Sequence, residues 1–440
     1  MRKREFGSRL FGVVTLAFVA AISIFGADWP QWRGSNRDAV WNEAGIVERI
    51  PTNGLKVVWR APVGMGYSTP VVVGKNVFVS DTIALKPLVR ERLVCFDGGS
   101  GKALWTNLYD HAVPDWFLTE EQARGPGATP VVSNGKVYAL DLWGTLVCVD
   151  AKDGSALWKK NLKEEFQMRE TSMDASPLIE GELLLLMLGG KGGAGIVALE
   201  RNTGREVWRA LDDSTTWSSP IVIEAGGVRQ LIVWTQQAVT SLNPRTGEIY
   251  WRESTSAGGS PGTAGVSTPV FANGFLLVSG WMLQLDKDRP AAKTLWPQDK
   301  GVARRILSDT CAAVILGDFI YGAKAGGEFL CLKAATGEEV WKTNVVTTLT
   351  NGASVHITMH GESAFLFNDR GELIQAHLKP EGYAEVGRVK LIEPTSKFGS
   401  QKLAWAAPAF ARQNIYVRND QEIVCYSLAA DRYRTSKAGR

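Results

Sequence analysis

Apolar and polar residues alternate along this chain in short runs, and the runs come in sets. A set opens with a stretch such as STPVVVG (68–74), ATPVVSN (128–134), ASPLIEG (175–181), SSPIVIE (218–224) or STPVFAN (267–273). A second alternating run follows, as in NVFVSD (76–81) or KVYALD (136–141). The set closes with a string holding two further runs around a polar turn. These strings are LVCFDGGSGKALW (93–105), LVCVDAKDGSALW (146–158), IVALERNTGREVW (196–208), VTSLNPRTGEIYW (239–251) and FLCLKAATGEEVW (329–341). Val, Ile, Leu, Phe and Tyr fill the runs, while Gly, Asn and Asp break them. Each set therefore predicts four short β-strands.

The closing residues Trp105, Trp158, Trp208, Trp251, Trp296 and Trp341 are separated by 53, 50, 43, 45 and 45 residues, with a short insertion allowed before Trp296. Four-strand sets repeating at this interval predict a β-propeller, one blade per set. The opening runs carry a proline column, Pro70, Pro130, Pro177, Pro220 and Pro269, which continues as Ala313 and Ile357 and returns at Pro408. That makes eight sets. The last, WAAPAFARQNIYVRNDQEIVCYSL (405–428), has three runs and no closing Trp. LKVVWRAPV (55–63) has a strand pattern and its own Trp59, so it supplies the missing strand. The expectation is an all-β, eight-bladed propeller of four-stranded antiparallel blades, closed by an N-terminal strand that leaves no open sheet edge. Seven blades is the competing count. Set seven, HITMHGESAFLFNDRGELIQAHL, is degenerate: Ala376 and Gly382 occupy the right slots, but Val386 stands where Trp would be. Its joint to the next blade is expected to be the weakest in the ring.

A glycine precedes five of the six closing Trp residues by four positions, at Gly101, Gly154, Gly204, Gly247 and Gly337. It suits a tight turn and a close approach by a neighbour. Trp59, Trp105, Trp158, Trp208, Trp251, Trp296 and Trp341 are accordingly read as structural residues that dock one blade on the next. Ten residues before the Trp, a slot holds Cys95, Cys148, Ala198, Ser241 or Cys331. A slot that interchanges Cys, Ala and Ser calls for a small buried side chain. Cys95, Cys148 and Cys331 are thus read as packing residues and not a disulfide framework, and the odd total of five cysteines leaves at least one thiol unpaired.

These residues resemble the tryptophan-docking motif, Ala-x-Asp-x-x-Thr-Gly-x-x-x-Trp, of the pyrroloquinoline-quinone (PQQ) type β-propellers. Ala198, Thr203, Gly204 and Trp208 match it; so do Asp150, Gly154 and Trp158, then Thr246, Gly247 and Trp251, and finally Thr336, Gly337 and Trp341. The resemblance covers residues 55 to 428. It implies the fold and leaves two functions open. The superfamily contains quinoprotein dehydrogenases, and also the non-catalytic propeller lipoprotein of the outer-membrane barrel-assembly machine. A dehydrogenase of this type is expected to bring PQQ with calcium, a Glu, Asn and Asp ligand set, an Asp base and often a vicinal Cys-Cys disulfide. This chain has no adjacent cysteines and no C-x-x-C-H. The first reading is an exported binding or scaffolding module for protein partners. The alternative is a PQQ- and calcium-dependent alcohol or sugar dehydrogenase. No catalytic or metal-ligating residue is assigned.

Composition narrows the partners. The chain is 45% hydrophobic and 21% charged with a formal net charge of +4, which gives no electrostatic case for nucleic acid. Arg2, Lys3, Arg4 and Arg9 precede the apolar run LFGVVTLAFVAAISIF (10–25), the pattern of a signal peptide ending at Ala27. Phe25 fits that cleavage site poorly, which keeps an uncleaved anchor as the alternative and the one route to a membrane. The expected organisation is a signal peptide (1–27), a leader (28–54), the propeller (55–428) and a solvated tail (429–440), in a protein of the periplasm or cell envelope.

Where the copies differ, chemistry can differ. Three residues before the proline column stand Tyr67, Gly127, Asp174, Trp217, Val266, Thr310, Ser354 and Trp405. The innermost strand of a blade starts beside the central axis, so these residues are expected to ring one mouth of the channel. Tyr67, Trp217 and Trp405 offer stacking surfaces for a ligand or partner, and Asp174 and Thr310 offer polar contacts. Arg124, Arg169 and Lys402 lie in adjoining loops and could meet an anion. Two other motifs are set aside. His356 and His360 are too far apart on a strand, about 13 Å, to share an ion. GGKGGAGIVALE (189–200) lacks the ending of a phosphate loop and reads as a hairpin.

Overall fold

The computed structural model describes residues 27–113, 117, 124–168, 174–255, 265–299, 306–308, 310–350 and 352–433. Its strands form eight four-stranded antiparallel sheets. Blade 1 spans 71–112, blade 2 131–161, blade 3 178–210, blade 4 221–254, blade 5 270–296, blade 6 314–343 and blade 7 355–390. Blade 8 consists of Ala409–Ala411, Asn414–Arg418 and Glu422–Ser427, and its outermost strand is Val57–Pro62 from the other end of the chain. The eight-blade expectation and the closure by an N-terminal strand both hold. Blade 7 is a complete sheet despite its missing Trp. Among the described residues, no helix is long and apolar enough to cross a membrane. The apolar run 10–25 lies outside them.

The core is distributed over the ring as layers between blades. Tyr138, Leu146 and Cys148 of blade 2 share one buried cluster with Leu184, Leu186 and Leu199 of blade 3. Leu185 and Ala198 of blade 3 join Leu231 and Val233 of blade 4 in the next. Period-two alternation is what permits this arrangement: each blade is covered on both faces by its neighbours, so both faces carry apolar side chains.

The repeated string explains itself in the register. Cys95 pairs with Trp105, Cys148 with Trp158, Ala198 with Trp208, Ser241 with Trp251 and Cys331 with Trp341 across the two outer strands. Cys425 pairs with Trp59 in blade 8. A small side chain faces each of these indoles, while Met282 faces Trp296 in blade 5, and a register shift beside the pair turns the outermost strand. All five cysteines are free and buried. Four of the joints then run alike. Trp59 Nε1 donates to Gly98 O at 2.8 Å, Trp105 to Ala151 O at 3.2 Å, Trp158 to Arg201 O at 3.2 Å and Trp296 to Ala334 O at 2.8 Å, each acceptor on the following blade. A Cβ added at Gly101 or Gly154 would lie 2.5 Å from the Trp59 or Trp105 ring. Trp208 lies over Gly247 without a hydrogen bond from its indole nitrogen. Trp341 makes a fifth joint of the same kind, donating to Lys379 O of the following blade 7 at 2.9 Å. Trp251 departs from the scheme: its indole donates to Gln230 Oε1 of its own blade at 2.8 Å.

Residues 28–54 are built into the ring. Trp29 exchanges two backbone hydrogen bonds with Val72 of blade 1, and Val132 N of blade 2 donates to Pro30 O. Trp32 Nε1 donates to Thr268 Oγ1 at 2.7 Å beside blade 5, and Trp41 N donates to Met359 O of blade 7 at 2.8 Å. The leader therefore crosses the channel and plugs it. It also serves the joint that lacks a Trp. Ile50, buried, lies 3.3 Å from the position of a Cβ on Gly387, and Gln375 holds it by bonds to Ile50 N and Glu48 O. The place of the missing Trp between blades 7 and 8 is taken by chain from outside the repeats. At the other end, Tyr433 is docked, accepting from Lys56 N and donating to Ser427 O, so the described part of the tail (429–433) is attached to blade 8.

Candidate functional site

The innermost strands begin at Val71, Val131, Leu178, Ile221, Val270, Val314, Val355 and Ala409, and they converge on the axis. Their leading residues are tied blade to blade by hydroxyls. Thr69 N donates to Thr129 Oγ1, Thr129 N to Ser176 Oγ and Ser176 N to Ser219 Oγ, at 2.9–3.0 Å. This arc ties blades 1 to 4 together beside the mouth and fixes which of their side chains face it.

Tyr67, Gly127, Asp174, Trp217, Val266, Thr310 and Trp405 all line one cavity of about 410 Å³. That size suits a small ligand or an inserted side chain. Arg124 lines it too. Ser354 does not: it is buried, with its N–H on Asp369 Oδ2 at 3.4 Å. Lys402 is exposed on the hairpin Ser396–Phe398/Gln401–Leu403 and points no charge into the cavity; Phe398 of the same hairpin lines it instead. Arg169 lies outside the described residues.

One wall is aromatic. Trp405 meets Tyr67 edge-on at 5.5 Å between ring centres and Phe398 at 5.4 Å, and its indole donates to Gly352 O at 3.0 Å. Opposite stands the polar anchor. Asp174 accepts from Arg124 Nη1 at 2.9 Å and from Gly127 N at 3.0 Å, and the Arg124 guanidinium lies 5.2 Å above the Trp217 ring. Gly127 is required here, since a Cβ would fall 2.4 Å from Asp174 Oδ1. Burial, with Asp420 next in effect, pushes the Tyr67 phenol up to about 12, so it stays neutral. Burial holds His356 down at about 4, and its Nε2–H donates to Trp405 O at 2.8 Å.

Sequence reasoning missed Trp32, Ser176, Ser219, His356 and Phe398, which also line the cavity. For three of them a signal existed. Ser176, Ser219 and His356 stand one residue before the proline column, hence two after the mouth residues and on the same side of an extended chain. Trp32 comes from the leader, and no repeat pattern reaches it.

The resemblance to dehydrogenases requires a test against these residues. A calcium cradle needs several convergent oxygen ligands. Among the described residues, the one carboxylate lining the cavity is Asp174, already committed to Arg124. Among the described residues, no group of three or more His, Cys, Asp or Glu is placed to hold a metal ion. The cysteines are dispersed through the ring. The described residues do not fit the PQQ and calcium set.

A family model described as outer membrane protein assembly factor BamB matches residues 89–343, more than half of the chain. The chain belongs to this family. Among its relatives, the outer membrane protein assembly factor BamB of Shewanella oneidensis is 22% identical over 257 residues, 56% of this chain and 62% of that protein. The dehydrogenase subunit of the alcohol dehydrogenase (quinone) of Gluconacetobacter polyoxogenes is 24% identical over 192 residues, 41% of this chain and 25% of that one. The 1-butanol dehydrogenase (quinone) of Thauera butanivorans is 30% identical over 112 residues, 24% of this chain. The chain spans 18% of that relative's length. BamB of Moraxella catarrhalis superposes with a TM-score of 0.56 at 16% identity, over 85% of this chain and 99% of that one. The quinohemoprotein alcohol dehydrogenase of Comamonas testosteroni does so at 0.62 and 13% identity, over 94% and 82%. At these identities the superpositions establish the shared fold. BamB-like and quinoprotein-dehydrogenase-like relatives are both present.

Proposed function

We propose that this propeller is an exported binding and scaffolding module whose channel mouth receives part of a protein partner. The observation that carries the proposal is the composition of the mouth. Tyr67, Trp217, Phe398 and Trp405 surround a cavity whose ion pair, Arg124 with Asp174, is internal. Aromatic residues and Arg in a concave, rigid setting are the composition of a protein-recognition hot spot. The plugged channel and the Trp joints supply a rigid disc, so little ordering is left to be done on binding. Export rests on the basic and apolar N-terminal pattern, and it matches the envelope role named for the BamB relatives.

Dehydrogenase activity is the competing reading, favoured by the quinone-dependent relatives. Purified protein given PQQ, calcium and a panel of alcohols and sugars is expected to reduce no dye above background; reduction above background would sink the binding-only reading. A photo-crosslinking residue at position 398 is expected to trap a protein in cells, with a lower yield when Trp405→Ala is added. An unchanged yield would remove the mouth from the interface.

A further inference from the structure

The leader builds a second cavity toward the other end of the inner strands. It encloses about 290 Å³, and Arg33, Asn36, Arg37 and Asp38 line one side of it. Ile223, Val270, Leu316 and Met359 belong to its aliphatic wall. Both arginines are buried. Their partners are neutral oxygens throughout. Arg37 donates to Gln31 Oε1 at 3.0 Å, to Pro220 O at 2.9 Å, and to Ser176 O and Pro177 O. Arg33 donates to Arg37 O at 3.2 Å and to Asp38 O at 3.4 Å, and among the described residues Arg33 Nη1 has no acceptor. The Asp38 carboxylate accepts from Val40 N and lies exposed, so its attraction offsets only part of the burial cost at Arg33.

The Arg37 guanidinium is therefore withdrawn from water, and that of Arg33 largely so, with no buried carboxylate paired to either. Burial lowers Arg37 to about 9 and Arg33 to about 10, so both remain cationic at neutral pH. A buried cation without a counter-charge is costly, and a cavity beside it is where a counter-charge can enter. Arg37 is saturated by carbonyls and serves to clamp the leader. Arg33 retains donors. We propose that this cavity binds an aliphatic carboxylate, its charged group on Arg33 and its chain along the aliphatic wall. The planar fork of a guanidinium matches a carboxylate, and the wall matches an alkyl chain rather than a hydrated anion. Such a group can arrive as a free short-chain acid or as the carboxy terminus of an apolar peptide.

Thermal unfolding of the full chain, followed by tryptophan fluorescence, tests the site with hexanoate as the probe. The midpoint is expected to rise saturably with hexanoate, and to stay level with hexanamide or with sodium chloride at equal ionic strength. Arg33→Gln should abolish the hexanoate response. A response to hexanamide or chloride as large as that to hexanoate overturns the proposal, as does an undiminished response in the variant. If Arg33→Gln does not fold, the comparison of hexanoate with hexanamide on the wild type still decides. An apolar hexapeptide with a free carboxy terminus, against its amidated form, separates the sources. A peptide bound more than tenfold tighter than hexanoate points to a chain terminus, and one bound no tighter points to the free acid.

Discussion

At the scale of single residues, this protein repeatedly sets a small side chain against a large one. Cys, Ala or Ser faces six of the docking Trp residues, Met282 faces Trp296, and Gly127 lets Asp174 reach the mouth. Two titratable groups make pH a direct probe of such packing. His356 has a folded pKa of about 4 against an ordinary 6.5, chiefly because burial disfavours its charged form. The unfolded chain then binds the proton first, so stability falls as pH drops from about 6.5 to about 4. The loss is expected to be about 2 kcal/mol, less than the full shift implies because one ring edge meets the cavity. Denaturant titrations of the wild type and His356→Gln across that window should differ in slope; parallel curves would refute the assignment. Glu91 is the opposite case. It is buried, accepts from Thr82 Oγ1 at 2.7 Å, and is raised well above 4.5 by burial first and then by nearby Asp141. The folded state keeps a proton that the unfolded state releases, so stability falls as pH rises above about 4.5. Glu91→Gln should be more stable than the wild type at pH 8 and no more stable at pH 4.

At the scale of the blade, the joint is an indole laid on a turn that can carry no side chain. Gly154 has φ +75 and stands 2.5 Å, by its absent Cβ, from the Trp105 ring. Gly154→Ala should cost about 2–4 kcal/mol through overpacking and backbone strain together. Trp59 is the joint on which closure rests: its strand comes from one end of the chain, its sheet from the other, and its indole reaches blade 1. Trp59→Ala should cost about 3–5 kcal/mol. Chemical denaturation of both variants checks the pair, and losses below 1 kcal/mol would show that these contacts do not hold the ring. The blades themselves were legible because strand alternation, turn glycines and the Trp interval agree with one another. The arc of hydroxyls across blades 1 to 4 was not read, although Thr129, Ser176 and Ser219 stand in plain sequence beside the proline column. Its meaning lies in donors from neighbouring blades, and no pattern within one blade reveals those.

At the scale of the whole molecule, the leader decides most. It plugs the channel, floors the mouth with Trp32, fills the joint between blades 7 and 8 with Ile50, and creates the arginine-lined cavity. Trp41 is its best-buried anchor, 1% exposed and packed 5.2 Å from Phe410 and from His360. Trp41→Ala is expected to cost about 3–5 kcal/mol and to make residues 29–41 open to limited proteolysis before the blades are cut. Proteolysis of blades and leader at equal rates would mean that the leader is no separate unit.

The sequence by itself determined the fold class, the number of blades, the strand that closes them and a column of which seven of eight positions line the mouth cavity. Those follow from local periodicity and its repetition, and a ring of like units leaves few ways to bury apolar faces on both sides of every sheet. Only the tertiary structure decided where the non-repeating chain goes. Residues 28–54 carry no period, and their partners lie in blades hundreds of positions away, at Thr268, Met359 and Gln375. The same limit applied to the mouth. Tyr67, Trp217 and Trp405 could be placed from their column, but the pairing of Arg124 with Asp174 and the substitution of Phe398 for Lys402 depend on loop paths, and those are set by contacts between blades rather than by patterns within them.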